Sequence, residues 1–543
     1  MLRDASAAPE AERALGLLSE KVKRMFSRFD GVLFLGSFAL GLVIHMYMLT
    51  HKMINLDDVG GMYEDLEFAL TSGRFLLGLL SGMSASFSSP WLNGVLSAFF
   101  LAMGVVFTLK LFGVRHYLSA FLLAATMIGF PVVASTLTYM FTAFEYMFAL
   151  AFAALGAYCI AKERIPWLLG GSVAVALATG CYQAYFPFAA TLVLTSCMLD
   201  LSGGRWDNDW KRGMLAAVKY VLALALGMVL YMVILKICLL AKGWKLTNYQ
   251  GISNWSDITP AVMLERAGLA YEKFFAFYRN DDALFLDMLP ALAWISMGAG
   301  CVLVGRGIVK SRGWRAPVNL LLVAACVALF PLGSALSYLM TDEFVHHVMK
   351  YSFVVTLLFP ALLADRLTLP PRAAAGTAHG ARRKIAVRRA LTATFAALLL
   401  VAQLLTGYEG FLVSNRAYFM MDMSRKNASS YFDRLVETIT LQEGYTPERE
   451  VALLGQHRAE IWIPEVYMTG AAIGNTLLNI YSLRMYLVYY HNFWLKPPSW
   501  EKQEALIASA EFQEMPVYPA EGSVRTIDDV IVVKLHPPYE PFA

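Results

Sequence analysis

Two adjacent carboxylates, Asp57 and Asp58, follow the first long apolar run of the chain. A positioned carboxylate can take the proton from an attacking hydroxyl group, so this pair is a candidate general base. The alternative is that Asn55 and the two aspartates cap an interfacial helix over 59–70, where carboxylates favour the helix dipole. The two interpretations are compatible, because a capping carboxylate can lie beside a catalytic one.

Two cationic side chains are candidates for binding a phosphate group. Arg74 lies in the same loop as the acidic pair, and a guanidinium fork suits phosphate oxygens. Its alternative is an interfacial arginine whose stem covers apolar surface. Lys350 follows His346 and His347, which are adjacent and cannot share one helix face, so no two-histidine metal site is predicted. Lys350 is the candidate there for a lipid phosphate, with a plain interfacial lysine as the alternative.

Four further residues are candidate substrate contacts. Glu145 lies near the outer end of the fourth apolar run, and an acid inside a span is by default a functional-site hypothesis. Its alternative is a residue at a misplaced span boundary that pairs with a tyrosine such as Tyr139. Tyr182, Gln183 and Tyr185 form a tight turn between two apolar runs. Aromatic residues are normal at an interface, and a glutamine between phenols can also bind sugar hydroxyls.

The composition indicates the medium that surrounds these residues. Hydrophobic residues are 58% and charged residues 16% of the 543 residues, against roughly 45–50% and about 25% in soluble chains. The apolar residues form runs of about 20, the length that a helix needs to cross about 30 Å of hydrocarbon. We therefore predict a polytopic, all-α membrane protein. The net charge of +4 gives no indication of nucleic-acid binding.

About eleven transmembrane helices are predicted within a membrane domain, 31–413. A polar N-terminal segment, 1–30, precedes it and does not fit a cleavable signal peptide. With the N-terminus in the cytoplasm, every linker rich in Arg and Lys falls on the cytoplasmic side, as the positive-inside rule requires. The predicted spans are 31–50, 91–112, 117–137, 144–161, 167–181, 186–199, 218–240, 284–304, 318–340, 353–364 and 390–413.

This orientation places two long loops, 51–90 and 241–283, and the tail, 414–543, outside the cytoplasm. The tail has apolar residues at helical spacing from Ala428 to Ile439. We predict a small extracytoplasmic α/β domain here. Its predicted parts are strands at 450–454 and 530–535 and a helix over 500–512 with Ser499 as N-cap.

Several short motifs then occur in one order along the chain. They are Asn-Leu-Asp-Asp at 55–58, Gly-Arg-Phe at 73–75, Ser-Pro-Trp-Leu-Asn-Gly at 89–94, Pro131 with Ser-Thr-Leu-Thr-Tyr-Met at 135–140, and Tyr-Gln-Ala-Tyr at 182–185. Together they resemble the bacterial glucosyltransferase II family, which glucosylates O-antigen from lipid-linked donors and belongs to the C-type (GT-C) membrane glycosyltransferases. The resemblance is strongest over 55–185, and its specificity comes from the order and spacing of the motifs.

The resemblance implies an inverting transfer of a sugar, expected to be glucose, from a polyprenyl phosphate donor. The acceptor would be a surface polysaccharide, O-antigen or lipid-linked glycan at the outer face of the bacterial cytoplasmic membrane. Asp57 or Asp58 would be the base, Arg74 or Lys350 would stabilise the departing lipid phosphate, and the tail would help to hold the acceptor. Some C-type enzymes need a divalent metal such as Mg²⁺ or Mn²⁺ and others do not. A synthase and a flippase for the lipid-linked sugar would be functional partners.

Other functional classes have less support in the sequence. There is no Walker loop, no GxGxxG after a strand and no HExxH, and the six cysteines lack metal-ligand spacing. The main alternative is a flippase or transporter of a lipid-linked sugar, although the inverted repeats typical of transporters are not evident. A membrane acyltransferase should have an intramembrane histidine, and His45 alone lies well inside a predicted span.

Overall fold

The fold is mostly helical and is seen in a computed structural model that describes residues 26–53, 56–59, 66–247, 259–280, 288–340, 345–367, 379–456 and 480–539. Asn55, residues 60–65 of the expected interfacial helix, and 248–258 and 281–287 of the second long loop and the start of the eighth predicted span lie outside these ranges. The α-helices are α1 Arg28–Ile44, α2 Met46–Thr50, α3 Leu66–Thr71, α4 Leu77–Ser81, α5 Pro90–Phe112, α6 Tyr117–Gly129, α7 Pro131–Leu137, α8 Ala143–Ile160, α9 Ile165–Cys181, α10 Phe186–Gly203, α11 Trp210–Lys242, α12 Pro260–Tyr278, α13 Leu289–Ser311, α14 Pro317–Ser334, α15 Ser337–Met340, α16 Phe359–Arg366, α17 His379–Thr440, α18 Ile480–His491, α19 Trp500–Ala508 and α20 Ala510–Glu514.

Seven of the described helices are long and apolar enough to cross a membrane, or eight if a bent pair counts as one span. The bent pair is α6 with α7, which meet at an angle of 47°. The bend has a local cause, because Pro131 has no N–H to donate and disfavours helical geometry at the preceding residue. Phe130 accordingly has φ −58° and ψ 126°. The mostly helical architecture is confirmed, and the long apolar helices support a membrane protein.

Three predicted spans differ from a full-length apolar helix. The first, α1, has 17 residues and ends at His45, after which the short helix α2 begins. The fifth, α9, also has 17 residues. The tenth is a 3₁₀ helix, Tyr351–Leu358, followed by the eight-residue α16. The number of about eleven spans therefore stays a prediction.

Helix α8 is the centre of the bundle, with 83% of its apolar window buried, against 22% for α11. Its many alanines, together with glycines, let neighbouring helices approach closely. A Cβ atom on Gly156 of α8 would lie 2.8 Å from Val175 of α9, and one on Gly171 would lie 2.9 Å from the carbonyl oxygen of Gly156. Glu145 is in the first turn of α8 and is buried with most of this helix.

Helix α17 has 62 residues and continues without a break through 413/414, the predicted limit of the membrane domain. A helix of that length rises about 93 Å. In its middle, α17 crosses α6 so closely that a Cβ on Gly410 would overlap the carbonyl group of Gly129. Nearby, Nδ1 of His45 lies 2.8 Å from the hydroxyl of Tyr418. The apolar part of this helix therefore continues into its polar part without a break.

The tail forms a three-stranded sheet of β1 Val451–Leu454, β2 Val524–Ile527 and β3 Val530–Lys534, in the order β1-β3-β2. Strand β3 is parallel to β1 and antiparallel to β2. Both predicted strands are confirmed. Ser499 is the predicted N-cap and accepts a hydrogen bond from the amide of Lys502. The predicted helix over 500–512 is divided at Ser509, which caps α20.

Candidate functional site

The two adjacent aspartates point to different surroundings. They lie on a 3₁₀ turn, Leu56–Asp58, after α2. Asp57 is exposed and Asp58 is buried. The ammonium of Lys52 lies 2.9 Å from Oδ2 of Asp58 and also donates to the hydroxyl of Ser88 at 2.7 Å. Asp58 therefore ties the turn to the residues that precede α5.

Burial controls the ionisation of Asp58. It raises the pKa of this carboxyl to about 6, while Lys52 and Ser88 act to lower it and the charge of Asp57 raises it further. Removal from water disfavours the charged form of a carboxyl, and a nearby ammonium favours it. Asp58 is thus a buried carboxyl group whose charged form is favoured by Lys52 and Ser88.

Asp57 reaches solvent beside two cationic groups. The protein around it raises its pKa, and the charges of Arg74 and His346 lower it. Arg74 precedes α4, whereas His346 lies between α15 and α16, so the fold brings together parts of the chain that are far apart in sequence. His346 was not among the predicted site residues. The available signal was its position four residues before Lys350.

Arg74 is oriented by an aromatic pair. Its guanidinium carbon lies 5.2 Å from the ring centroid of Tyr182, a distance at which a cation is attracted to the ring. Tyr182 stacks on Tyr146 of α8, with centroids 4.1 Å apart and an interplanar angle of 8°. The two rings connect Arg74 to the first turn of α8, where Glu145 precedes Tyr146.

Gln183 holds the loop that carries Arg74. Its amide nitrogen donates to the carbonyl of Ser72 at 2.9 Å and approaches the hydroxyl of Tyr231 at 3.2 Å. Tyr231 in turn donates to the carbonyl of Gly73 at 3.1 Å. Gly73 has φ +85°, where a side chain is strained. The side-chain nitrogen of Gln183 therefore binds the loop before Arg74, and the role of Gln183 in sugar binding stays a prediction.

Glu145 is fully buried at the start of α8. Neither of its carboxylate oxygens has a hydrogen-bond partner among the described residues, so the expected alternative of a pair with Tyr139 is not seen there. The thiol of Cys181 donates to the backbone carbonyl of Glu145 at 3.0 Å. A buried acid without such partners is costly to keep, which favours a functional interpretation of Glu145.

Tyr185 and Lys350 lie deeper than the rest. Both are buried, at 1% and 3% exposure. The ring of Tyr185 lies 6.0 Å from that of Tyr182 and 6.1 Å from that of Tyr351, the residue after Lys350. The structure thus places Tyr185 and the backbone of Lys350 in the same part of the bundle as Tyr182. Within the described ranges, no group of three or more His, Cys, Asp or Glu residues could hold a metal ion.

The comparison with protein families covers this whole region. A family model described as glucosyl transferase GtrII matches residues 46–359, more than half of the chain. The chain belongs to the GtrII glucosyltransferase family. The resemblance seen in the sequence is confirmed, and the protein is a glycosyltransferase. No curated protein and no solved structure matches the chain.

The GtrII match ends before the tail begins, yet the tail touches the acidic turn. Val59, next to Asp58, is buried in one apolar cluster with Phe432, Leu435 and Tyr486 of the tail. Burial and the charge of Asp58 raise the pKa of Tyr490 in α18. The tail therefore helps to position the turn that bears the two aspartates.

Proposed function

We propose that this GtrII-family protein transfers glucose from a polyprenyl phosphate to a surface polysaccharide, O-antigen or lipid-linked glycan, with Asp57 as the base. The single observation that carries the assignment is the different surroundings of the two aspartates. Asp57 reaches solvent near Arg74 and His346, whereas Asp58 is bound by Lys52 inside the protein. A base must reach the hydroxyl whose proton it takes.

The reaction is a single displacement with inversion. The acceptor hydroxyl attacks the anomeric carbon, its proton passes to the carboxylate of Asp57, and the bond from that carbon to the phosphate oxygen breaks. The polyprenyl phosphate leaves with the bonding electrons. A retaining enzyme needs a second carboxyl as nucleophile about 5–5.5 Å from the first. Asp58 is the adjacent acid, and its contact with Lys52 directs it away from that role.

Arg74 is the main group that stabilises the departing phosphate. Fixed cations aimed at developing charge are among the largest contributors to catalysis. The ring of Tyr182 and the turn at Gly73 keep the guanidinium near Asp57, which joins the acid and the cation in one site. Lys350 is the second cation in this proposal, and His346 supplies further positive charge when it is protonated.

The sugar is assigned to the space beside the stacked tyrosines. Glu145 can accept hydrogen bonds from sugar hydroxyls, and it is a buried acid that has no such donor among the described residues. Tyr182 lies between Tyr146 and the guanidinium of Arg74, and Tyr185 packs against Tyr182. Gln183 acts here by holding the loop of Arg74.

The proposed topology follows the distribution of Arg and Lys. The N-terminus is cytoplasmic, about eleven segments cross the cytoplasmic membrane, and the tail lies outside. The site is then at the outer surface, where the lipid of the donor lies between helices and its phosphate faces Arg74. The contact of the tail core with Val59 supports a role of the tail beside the acceptor.

The experiment uses purified protein in detergent with synthetic polyprenyl phosphate glucose and a fraction of lipid-linked glycan. Release of free polyprenyl phosphate is followed for wild type, Asp57→Asn and Asp58→Asn, with gel filtration as a check on folding. We expect release that requires acceptor and falls about 10²–10⁴-fold in Asp57→Asn, the usual contribution of a general base.

Asp58→Asn is the matched variant and should keep a larger share of activity, because its role is to hold the turn. Full activity in Asp57→Asn would overturn the assignment of the base. Movement of the donor lipid across liposomes, without release, would instead indicate a flippase.

A further inference from the structure

A large cavity lies at the opposite end of the bundle from the acidic pair. It is open to the surface and is lined by the start of α1, the ends of α5 and α8, and the start of α9, and its volume is about 960 Å³. The acidic turn follows the other end of α1 and α2, so the two sites are separated by the length of the first helix. The proposed topology puts this cavity on the cytoplasmic side.

The lining of the cavity is strongly cationic. Lys110, Arg115, Lys162 and Arg164 line it together with one carboxylate, Asp30. Asp30 is already bound, because it lies 2.5 Å from the ammonium of Lys110 and accepts from the amide and hydroxyl of Ser27. Within the part of the chain that the structure describes, Arg115, Lys162 and Arg164 form no ion pair.

Two carboxylates that are close to these cations in sequence or in space bind other groups. Glu163 pairs with Arg205 at 3.2 Å. Asp365 accepts from the backbone amide of Arg115 at 3.1 Å and lies 2.9 Å from Nδ1 of His116. Neither of these carboxylates lines the cavity, whose lining has four cationic side chains and one carboxylate.

Aromatic and apolar groups line the cavity beside the cations. The ammonium of Lys162 lies 4.5 Å from the ring centroid of Tyr158, and Trp167 meets the same ring edge-on at 6.5 Å. On the adjacent helices, Leu35 of α1 and Ile165 and Leu169 of α9 expose 66%, 72% and 52% of their surface. Charge at the rim with apolar surface alongside is the pattern of a site for a lipid with a charged headgroup.

We propose that this cavity binds the phosphate headgroup of an anionic phospholipid. Arginine forks and lysine ammonium groups bind phosphate oxygens, and basic pockets between transmembrane helices on the cytoplasmic side are typical sites for anionic lipids. The acyl chains lie along the exposed apolar faces of α1 and α9. A soluble phosphate ion would make no contact with those apolar faces. We therefore assign the cavity to a membrane lipid.

The experiment follows the thermal unfolding of delipidated protein in a neutral detergent. Dioctanoyl phosphatidylglycerol is titrated into wild type, into the double variant Lys162→Gln with Arg164→Gln, and into a control, Lys310→Gln with Arg315→Gln. The control removes two exposed cations that do not line the cavity. We expect saturable stabilisation of wild type and control, with an apparent Kd at least about 10-fold higher in the cavity variant, because two charged contacts to phosphate are lost.

Three further arms identify the ligand. Dioctanoyl phosphatidylcholine and inorganic phosphate should each stabilise the protein less than phosphatidylglycerol does. Equal stabilisation by phosphatidylcholine, or an unchanged Kd in the cavity variant, would overturn the proposal. A short-chain polyprenyl phosphate that binds this cavity more tightly than phosphatidylglycerol would replace the phospholipid as its ligand. The single variant Arg115→Gln changes a different part of the cavity lining and should also weaken binding. Weaker binding in this variant would show that the effect does not come from misfolding of the double variant.

Discussion

Lys52 and Asp58 form an ion pair at 2.9 Å in which the carboxylate is fully buried and the lysine side chain is 29% exposed. The same ammonium reaches both the carbonyl and the hydroxyl oxygen of Ser88. One cation thus fixes the acidic turn against the segment that leads into α5. The neighbouring residue, Asp57, is exposed.

Loss of this cation should destabilise the protein in a pH-dependent way. Lys52→Met leaves a buried carboxylate without its ammonium, at a cost of about 2–3 kcal/mol near neutral pH, less than for a fully buried pair. The pKa of Asp58 is raised to about 6, so the ionised form is the costly one and stability is lost as pH rises through that value. The cost should therefore be smaller near pH 5, where the carboxyl takes up a proton.

Thermal unfolding in detergent at both pH values measures this effect. The double variant Lys52→Met with Asp58→Asn has neither charge and should recover most of the stability of wild type. A double variant that is less stable than Lys52→Met would contradict the interpretation.

The acid side of the pH profile should report on Asp57. A protonated carboxyl cannot act as a base, so transfer falls as pH drops through the pKa of Asp57, which burial raises and Arg74 lowers. Arg74→Gln removes the lowering charge and should move the acid limb of kcat/KM to higher pH. The control Lys310→Gln, at the cavity end of the bundle, should leave the limb in place. An acid limb of kcat/KM at the same pH in Arg74→Gln as in wild type would argue against Asp57 as the titrating group.

Gly73→Ala should damage the site through the loop. The new Cβ would lie 2.5 Å from Nε2 of Gln183 and 2.6 Å from the hydroxyl of Tyr231, at a backbone φ of +85°. The added strain is about 1–2 kcal/mol, and displacement of the adjacent Arg74 should reduce transfer about 10-fold or more. Gly82→Ala in the same predicted loop meets nothing within 4 Å and should behave as wild type. Equal transfer rates in the two variants would show that the loop tolerates the change.

Glu145→Gln should lower the rate of transfer without lowering the stability of the protein. The amide has nearly the same size as the carboxyl group, so the free energy of unfolding should stay within about 1 kcal/mol of the wild-type value. Transfer should fall about 10-fold, because an acid inside a span is kept for function. Glu163→Gln is the matched control: it breaks the ion pair with Arg205 and should lower stability slightly without affecting transfer. A fully active Glu145→Gln variant would remove this residue from the site.

The long apolar helices were predictable because hydrophobic length decides them. The predicted second span, 91–112, differs from α5 by one residue at its start, and the valine-rich strand at 530–535 matches β3. The 3₁₀ helix Tyr351–Leu358 was not predictable, because an apolar run that is buried on all sides has the same composition in either helix type. The continuity of α17 was also missed, since its polar half has the composition of a separate domain.

The residues of the candidate site were chosen by type from the sequence, and their arrangement in space could not be predicted in the same way. Adjacent aspartates are equivalent in sequence, and the partner that distinguishes them, Lys52, is an ordinary loop lysine until the chain folds. His346 reaches Asp57 across almost 300 positions of the chain, and no local pattern encodes such an approach. The role of Gln183 in sugar binding stays a prediction. Its hydrogen bond to Ser72 was not predictable, because that bond depends on where α9 ends.

The uninterrupted course of α17 sets both the height and the angular phase of the tail. One residue inserted between Tyr418 and Ala428 would raise the tail by about 1.5 Å and turn it by about 100° around the helix axis. Val59 packs in the apolar cluster of the tail. That rotation would therefore move the turn that carries Asp57 away from Arg74. Seven inserted residues would nearly restore the phase while lifting the tail by about 10.5 Å. An uninterrupted α17 therefore sets both the distance and the rotation between the membrane part of the chain and the turn that bears Asp57 and Asp58.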